Sequence, residues 1–405
     1  MLETASINRA AIEEHYRKSP FIKEIRLDDR LHAVIVPDRD ALRARKIVNV
    51  RELIRFEIEG LSISLPAAHR LVGFDVTMEP RLRTVADDHV SRVVAVVQGF
   101  VPAGVVVHAD SNLELDLELD SLERVKLIAA LEERFGKRIR DESAVCAFVV
   151  RDLAEALRGG VESDRRAGVE WARLLEPSSP GPELRSLLRP RLFTALLLFA
   201  ALRVLVGVLA RPHVAGLERL PRRGPFIIAP NHQTYVDPFL LMGVLPFGVL
   251  RQLFYIGATE YFESPLTSWL ARRFNIVAVD PDANLLAGLQ AGAFGLRHGK
   301  VLVVFPEGER SIDGSVKTFR KGAALLAEQL DVPIVPVAID GMFEIWPRMR
   351  PLDWRRLLPW SGHRVRIAFG DAIAPDGGGE EALTARVRAT VSEMWELLHL
   401  RFRDS

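Results

Sequence analysis

The sequence predicts a multidomain α/β chain: a small α+β subdomain, a helical bundle, and a larger α/β domain on a central, mostly parallel sheet. Three observations lead there. At 405 residues the chain exceeds one ordinary domain. Over residues 113–139, Leu122, Val125, Ile128, Leu131 and Phe135 recur at helical spacing on one face. From residue 186 onward, short β-branched runs alternate with helical ones, as in sheets whose parallel strands are joined by crossover helices.

Taken in order, residues 1–84 mix strands and helices. "LHAVIVP" (31–37) reads as a strand ended by proline, and "NVRELIRFEIEGL" (49–61) as an amphipathic helix with Leu53, Ile54, Ile58 and Leu61 on one side. "HRLVGFDVTM" (69–78) reads as a further strand. Residues 85–160 are helical, with one long loop before Ser121. Residues 161–185 hold a Pro/Ser/Gly cluster that suits a linker. Beyond it, "PFIIAP", "FNIVAVD", "KVLVVF", "VPIVPVAI" and "HRVRIAFG" are strand-like, separated by helical runs such as "NLLAGLQAGAFGLRHG" and "KGAALLAEQL".

A composition of 48% hydrophobic and 26% charged residues is that of a folded chain. A net charge of +1 argues against a nucleic-acid partner, although charge is uneven: "DSNLELDLELD" (110–120) is acidic, and residues 173–191 and 346–366 are rich in arginine. The single cysteine, Cys146, excludes an internal disulfide framework and a multi-cysteine metal site, and its neighbours "SAVCAFVV" make it a core residue. No metal is expected. The N-terminus has no apolar core of signal-peptide type, so a cytoplasmic location is expected.

"LFTALLLFAALRVLVGVLA" (192–210) approaches the ~20 apolar residues needed to span a bilayer, with Arg203 near its middle. An arginine there costs at least ~2.5 kcal/mol on insertion scales. The favoured expectation is a helix lying in or dipping into the cytoplasmic leaflet. Arg185, Arg189, Arg191, Arg211, Arg219, Arg222 and Arg223 flank it and face anionic headgroups. A buried core helix and a true span are the competing readings. Trp346, Trp354 and Trp360, interleaved with Arg348, Arg350, Arg355, Arg356, Arg364 and Arg366, form a second interfacial pattern.

Asp120–Ser121–Leu122 opens a helix. Asp120 with Glu123 can form a capping box, which makes Ser121 merely the first helical residue. The alternative is a serine modified at a helix N-terminus, where backbone N–H groups favour an attached phosphate. The motif "LDSLERVKLIAALEERFG" resembles acyl carrier proteins over about 75 residues. The resemblance implies 4′-phosphopantetheine attached to Ser121, on an acidic module that docks on basic partners. Residues 1–84 look like the small C-terminal subdomain of adenylate-forming acyl ligases. That family's large nucleotide-binding domain is missing, no lysine follows Glu79-Pro80 before the carrier-like segment, and no glycine-rich phosphate loop occurs. ATP is therefore not expected, and the segment reads as a remnant or a docking platform for a separate acyl ligase.

In "NHQTYVDP" (231–238), His232 and Asp237 follow the strand "PFIIAP". A carboxylate that holds one imidazole nitrogen fixes the tautomer and readies the other as a general base. Asp237-Pro238 is equally a good helix start, with Asp as N-cap. "FPEGERS" follows "KVLVVF", so Glu307, Gly308, Arg310 and Ser311 lie past a strand's carboxyl end, where open α/β sheets place ligands. Arginine offers a planar fork for a phosphate group.

The two motifs in this order resemble the glycerophospholipid acyltransferases, which include the 1-acylglycerol-3-phosphate type. The first family motif matches Asn231, His232 and Asp237; the third matches Phe305, Pro306, Glu307, Gly308, Arg310 and Ser311, with Glu309 where threonine is common; the fourth matches "VPIVPVAI". The resemblance covers about residues 210–375. It implies acyl transfer from a thioester on acyl carrier protein or CoA to the hydroxyl of a lysophospholipid or glycerol phosphate, at a membrane surface. His232 and Asp237 would be catalytic, with Glu307, Gly308, Arg310 and Ser311 binding the acceptor. The chain departs at the second motif, where "NIVAVDPDAN" carries Pro281 after Asp280 instead of an arginine. Arg310, Lys317, Arg320 or Lys321 would compensate, or the acceptor is zwitterionic. A carrier that binds lipid without catalysis and an acyl-thioester hydrolase are the competing functions.

Overall fold

A computed structural model describes residues 9–28, 30–45, 50–66, 69–77, 88–102, 104–140, 143–144, 147–162, 171–176, 181–188, 193–257, 264–279, 285–347, 350–358 and 360–400. Cys146, Arg189, Arg191, Asp280, Pro281, Arg348 and the stretch after Glu79-Pro80 lie outside these residues. The chain divides into two compact units, Met1–Glu170 with Asp282–Leu285, and Trp171–Pro281 with Leu286–Ser405.

In the first unit, alternating apolar residues form strands β1 (Ile22–Leu27), β2 (His32–Pro37) and β3 (Gly73–Val76). β1 pairs antiparallel and β3 parallel with β2. The Val50–Ser62 helix buries Val50, Ile54 and Ile58 against this sheet's core, with Leu53 and Leu61 at the margin. The same unit holds a bundle of the Asp88–Val97, Ser121–Phe135 and Val150–Arg158 helices. Its core includes Val93, Val97, Leu127, Leu131, Leu153 and Leu157. A two-residue ribbon, β4 (Lys137–Arg138) with β5 (Val161–Glu162), closes the bundle.

The buried stripe of the Ser121–Phe135 helix differs from the expected one. Its deepest positions are Leu122, Arg124, Leu127 and Leu131, whereas Ile128 and Phe135 pack at the edge and Val125 is half-buried. A buried charge lies on this face. Arg124 donates to the Ala147 carbonyl at 2.6 Å and faces Glu114 and Asp152. Glu114 in turn accepts the backbone N–H groups of Val50 and Arg51, the latter at 2.7 Å, and so caps the Val50–Ser62 helix from the bundle side. Phe148 of the bundle completes the sheet's core, with Leu115 packed against it. The two N-terminal segments thus share one compact unit.

In the second unit, near-continuous apolar runs build a seven-stranded sheet in the order β6 (His213–Ala215), β12 (Arg366–Phe369), β11 (Ile334–Asp340), β7 (Phe226–Pro230), β10 (Val301–Val303), β8 (Leu253–Gly257), β9 (Ile276–Ala278). The five strands from β11 to β9 run parallel, and β12 and β6 run opposite to them. Every residue of β7, β10 and β11 is buried, as expected when helices cover both faces. Val301 lies opposite Phe226 and Val303 opposite Ile228, so β7 and β10 end side by side at one edge.

The Phe193–Leu209 helix packs Phe199 and Val206, with Leu198 and Leu202, on the Asp237–Val244 helix and the core beneath it. Close approach requires Gly243, where a Cβ would collide with the Val206 side chain. Leu197, Val204, Leu205 and Val208 on the opposite face are exposed. Arg203 donates to the Leu245 carbonyl at 3.1 Å, a cation at the C-terminus of the Asp237–Val244 helix. Among the described residues no helix is long and apolar enough to cross a membrane.

Candidate active site

β7 ends at Pro230 and delivers Asn231 and His232 to the carboxyl edge of the sheet. Asn231 fixes this exit by pairing its amide with β11: Nδ2 donates to the Ile339 carbonyl (3.0 Å) and Oδ1 accepts the Ile339 N–H (2.7 Å). The next residues turn back on themselves around one carboxylate. Asp237, 0% exposed, accepts from His232 Nδ1 at 2.9 Å, from the Gln233 N–H at 2.6 Å, and from the Thr234 N–H and Oγ1 at 2.8 and 2.7 Å. Three donors besides the ring meet this carboxylate, which suits an acceptor-only oxygen pair, and Nε2 is the ring nitrogen not engaged by Asp237.

The helix-start reading of this motif needs correction. The Asp237–Val244 helix does begin here, with Pro238 in its first turn, but Val236 is the N-cap and no side chain caps it. The Asp237 carboxylate points back to residues 232–234 instead. The Phe305 ring stacks on the imidazole, with centroids 4.1 Å apart.

β10 delivers the second motif beside the first. Glu307, 2% exposed, accepts the His232 N–H through Oε1 at 3.1 Å, and the Ser311 N–H donates to the His232 carbonyl at 2.7 Å. Glu307 and Ser311 therefore hold the His232 backbone from both sides. Burial pushes the Glu307 carboxyl up to about 8, helped by the Asp237 charge and opposed by the N–H groups of His232 and Lys317. Gly308 adopts φ +75°, and a side chain there would strike the Arg320 guanidinium. The buried Arg310 lays its guanidinium carbon 3.2 Å from the centre of the Tyr235 ring.

Of the other cations expected to compensate for the missing arginine, Lys317 pairs with Asp313 at 3.0 Å and Arg320 packs over Gly308. Lys321 is the N-cap residue of the Gly322–Leu330 helix. Burial raises the Asp313 carboxyl, but hydrogen bonds from Ser315 and Lys317 outweigh it and hold it well below the usual range.

Gln233 is a site residue that sequence reasoning passed over. Its Nε2 donates to the Gly314 carbonyl (3.0 Å) and its Oε1 accepts the Met342 and Phe343 N–H groups (3.0 and 3.2 Å), stapling three loops at the sheet edge. A buried glutamine beside the histidine was the available signal. Among the described residues no cluster of three His, Cys, Asp or Glu is placed to hold a metal ion.

In the first unit, the capping box at Ser121 is formed. Asp120 Oδ1 accepts the Leu122 and Glu123 N–H groups, and Glu123 accepts the Asp120 N–H. Those two amides are thereby taken, so an attached phosphate gains less from the helix N-terminus than the sequence implied. The 346–366 pattern also divides. Trp354 and Trp360 are exposed, while Trp346 packs edge-on against Tyr235 and Arg366 pairs with the buried Asp340 at 2.8 Å.

Residues 211–340 match the family described as Acyltransferase, and residues 91–157 the family described as Phosphopantetheine attachment site. The chain is 29% identical over 200 residues to a 1-acyl-sn-glycerol-3-phosphate acyltransferase of Pseudomonas aeruginosa, covering 47% of this chain and 70% of that protein. It is 31% identical over 152 residues to the alpha form of the human enzyme, covering 36% of this chain and 50% of that one. The crystal structure of the 1-acyl-sn-glycerophosphate acyltransferase PlsC from Thermotoga maritima is similar at 27% identity and a TM-score of 0.44, over 54% of this chain and 87% of that one. The chain thus spans about half the length of the human relative, and less of the plant ones.

Proposed function

We propose that this chain, which carries an acyltransferase domain and a phosphopantetheine-attachment domain, moves a fatty acyl group from a thioester to the hydroxyl of a lysophospholipid in phospholipid synthesis. One observation carries the reading: His232 is held by a fully buried Asp237 through Nδ1, at the sheet edge where Arg310 also sits. His232 Nε2 takes the acceptor's hydroxyl proton as the oxygen attacks the thioester carbonyl. Asp237 stabilises the imidazolium that results. The tetrahedral intermediate then expels the thiolate, which takes the proton back from Nε2; an ester bond forms and the thioester bond breaks. Arg310 holds the acceptor's phosphate. No enzyme nucleophile is needed, because the acceptor's own oxygen attacks.

Phosphopantetheine on Ser121, the first residue of a capped helix, would supply the thiol that carries the acyl group. A separate acyl ligase would load it, since residues 1–84 hold no glycine-rich phosphate loop. The work would take place at the cytoplasmic face of a membrane. The exposed apolar face of the Phe193–Leu209 helix and the exposed Trp354 and Trp360 support this placement.

Purified chain, wild type and His232→Ala, is tested with acyl-CoA and acyl-carrier donors against lysophosphatidate, lysophosphatidylcholine and water. Wild-type phospholipid product lost in the variant is the expected result. Equal turnover in the variant removes the mechanism, and free fatty acid as sole product makes the chain a hydrolase.

A further inference from the structure

Arg310 and His232 follow different strands, β10 and β7, and a side chain from the His232 loop reaches Arg310. Tyr235 stands between His232 and Asp237 in the loop after β7, and its ring lies under the Arg310 guanidinium, 3.2 Å from ring centre to guanidinium carbon. Trp346, from the loop after β11, meets the same Tyr235 ring edge-on, with ring centroids 5.6 Å apart and planes at 64°. Loops following β7, β10 and β11 therefore converge on one aromatic ring.

The physical consequence concerns direction. A guanidinium is planar, and its N–H donors lie in its own plane. Held over a ring it gains from the ring's negative face, and that attraction fixes where the fork's carbon sits. Arg310 is 8% exposed, so the side chain has little room to turn once stacked. The ring belongs to the same loop whose backbone surrounds Asp237, through the Gln233 and Thr234 amides. Head-group grip and base are thus set from one seven-residue segment, 231–237.

We propose that Tyr235 is the positioning residue that aims the Arg310 fork at the acceptor's phosphate, and that it acts through its ring and not its hydroxyl. This rests on the reading that Arg310 binds the acceptor.

The test measures steady-state kinetics of full-length chain with lysophosphatidate as the varied substrate and palmitoyl-CoA saturating. The variants are Tyr235→Phe, Tyr235→Leu, Arg310→Ala and the Tyr235→Leu/Arg310→Ala double variant, each with a thermal melt. Phenylalanine is expected to leave the acceptor KM within about twofold of wild type. Leucine, similar in bulk but without a π face, is expected to raise it about 3- to 30-fold, the range spanned by exposed and desolvated cation–π pairs, with kcat and donor KM little changed. The double variant is expected to be no worse than Arg310→Ala alone. An acceptor KM unmoved by Arg310→Ala, or no turnover of lysophosphatidate by wild type, removes the underlying reading. An effect of Arg310→Ala with none from leucine overturns the inference alone, as does a phenylalanine variant as impaired as leucine, or additive losses in the double variant.

Discussion

Among its described residues the second unit contains two histidine–aspartate pairs of the same design in different surroundings, and the proposed mechanism uses only one of them. His232 meets Asp237 through Nδ1 at 2.9 Å, and His399 meets Asp340 through Nδ1 at 3.2 Å. Both aspartates are buried, at 0% and 4% side-chain exposure. The difference lies in what else the carboxylate holds. Asp340 already pairs with Arg366 at 2.8 Å, so its charge is balanced before the histidine is counted. Asp237 is held by amides and a hydroxyl, which stabilise the charge without cancelling it. His399 is stacked on Trp395, with centroids 4.9 Å apart, as part of the packing of the final helix. Distance alone does not tell the two pairs apart; the cation count around the carboxylate does.

Substitution should divide the pairs. His232→Ala is expected to lower turnover by about 10²- to 10⁴-fold, the usual worth of a positioned general base, with an unchanged melt; His399→Ala should leave turnover within about twofold. Asp237→Asn, which presents the wrong tautomer to the ring, should cost turnover on a similar scale while acceptor KM stays close to wild type. Asp340→Asn should do the reverse. Turnover per folded molecule is kept, but stability in a denaturant titration falls by about 3 kcal/mol, because the Arg366 charge loses its buried partner. A catalytic loss at Asp340 equal to that at Asp237 would abolish the distinction.

Glu307 sharpens it further through pH. Its folded pKa, about 8, lies above the unfolded value, so the native state holds a proton that the unfolded chain releases. The stability this adds is complete below the unfolded pKa near 4.5 and is lost as pH rises toward 8. Glu307→Gln, which keeps the bond to the His232 N–H impossible to titrate, should flatten that slope by at most about 1.4 kcal/mol per pH unit between pH 5 and 8. The smallest effect is expected on the Phe193–Leu209 helix. Leu205→Ser on its exposed face should weaken partition onto anionic vesicles several-fold, at about 0.8 kcal/mol per buried CH₂, without changing turnover of a detergent-dispersed acceptor.

Much of the site was legible because its signals are local. His232 and Asp237 are five residues apart, and "KVLVVF" and "VPIVPVAI" are β-branched runs that admit little but buried strands. The pairings that complete it were not legible. Glu307 meets His232 across 75 residues, and Gln233 meets Met342 across 109, so nothing in the spacing of either announces its partner. The β8 strand was missed because "LFYIG" is short and ends in glycine. The Ser121–Phe135 helix buries Arg124, a charge that periodicity assigns to solvent and that faces Glu114 and Asp152 inside. Glu114 also holds the first amides of the Val50–Ser62 helix, a link across 63 and 64 residues that no local pattern announces.

That cap from Glu114 onto the Val50–Ser62 helix also decides which flank of the bundle is covered. The Glu114 carboxylate takes the first amides of that helix, while Leu115 and Phe148 lie in the apolar core beneath β1, β2 and β3. The N-terminal sheet is thus a cover over the bundle's Glu114–Phe148 flank, and a residue exchanged there is felt by two cores at once.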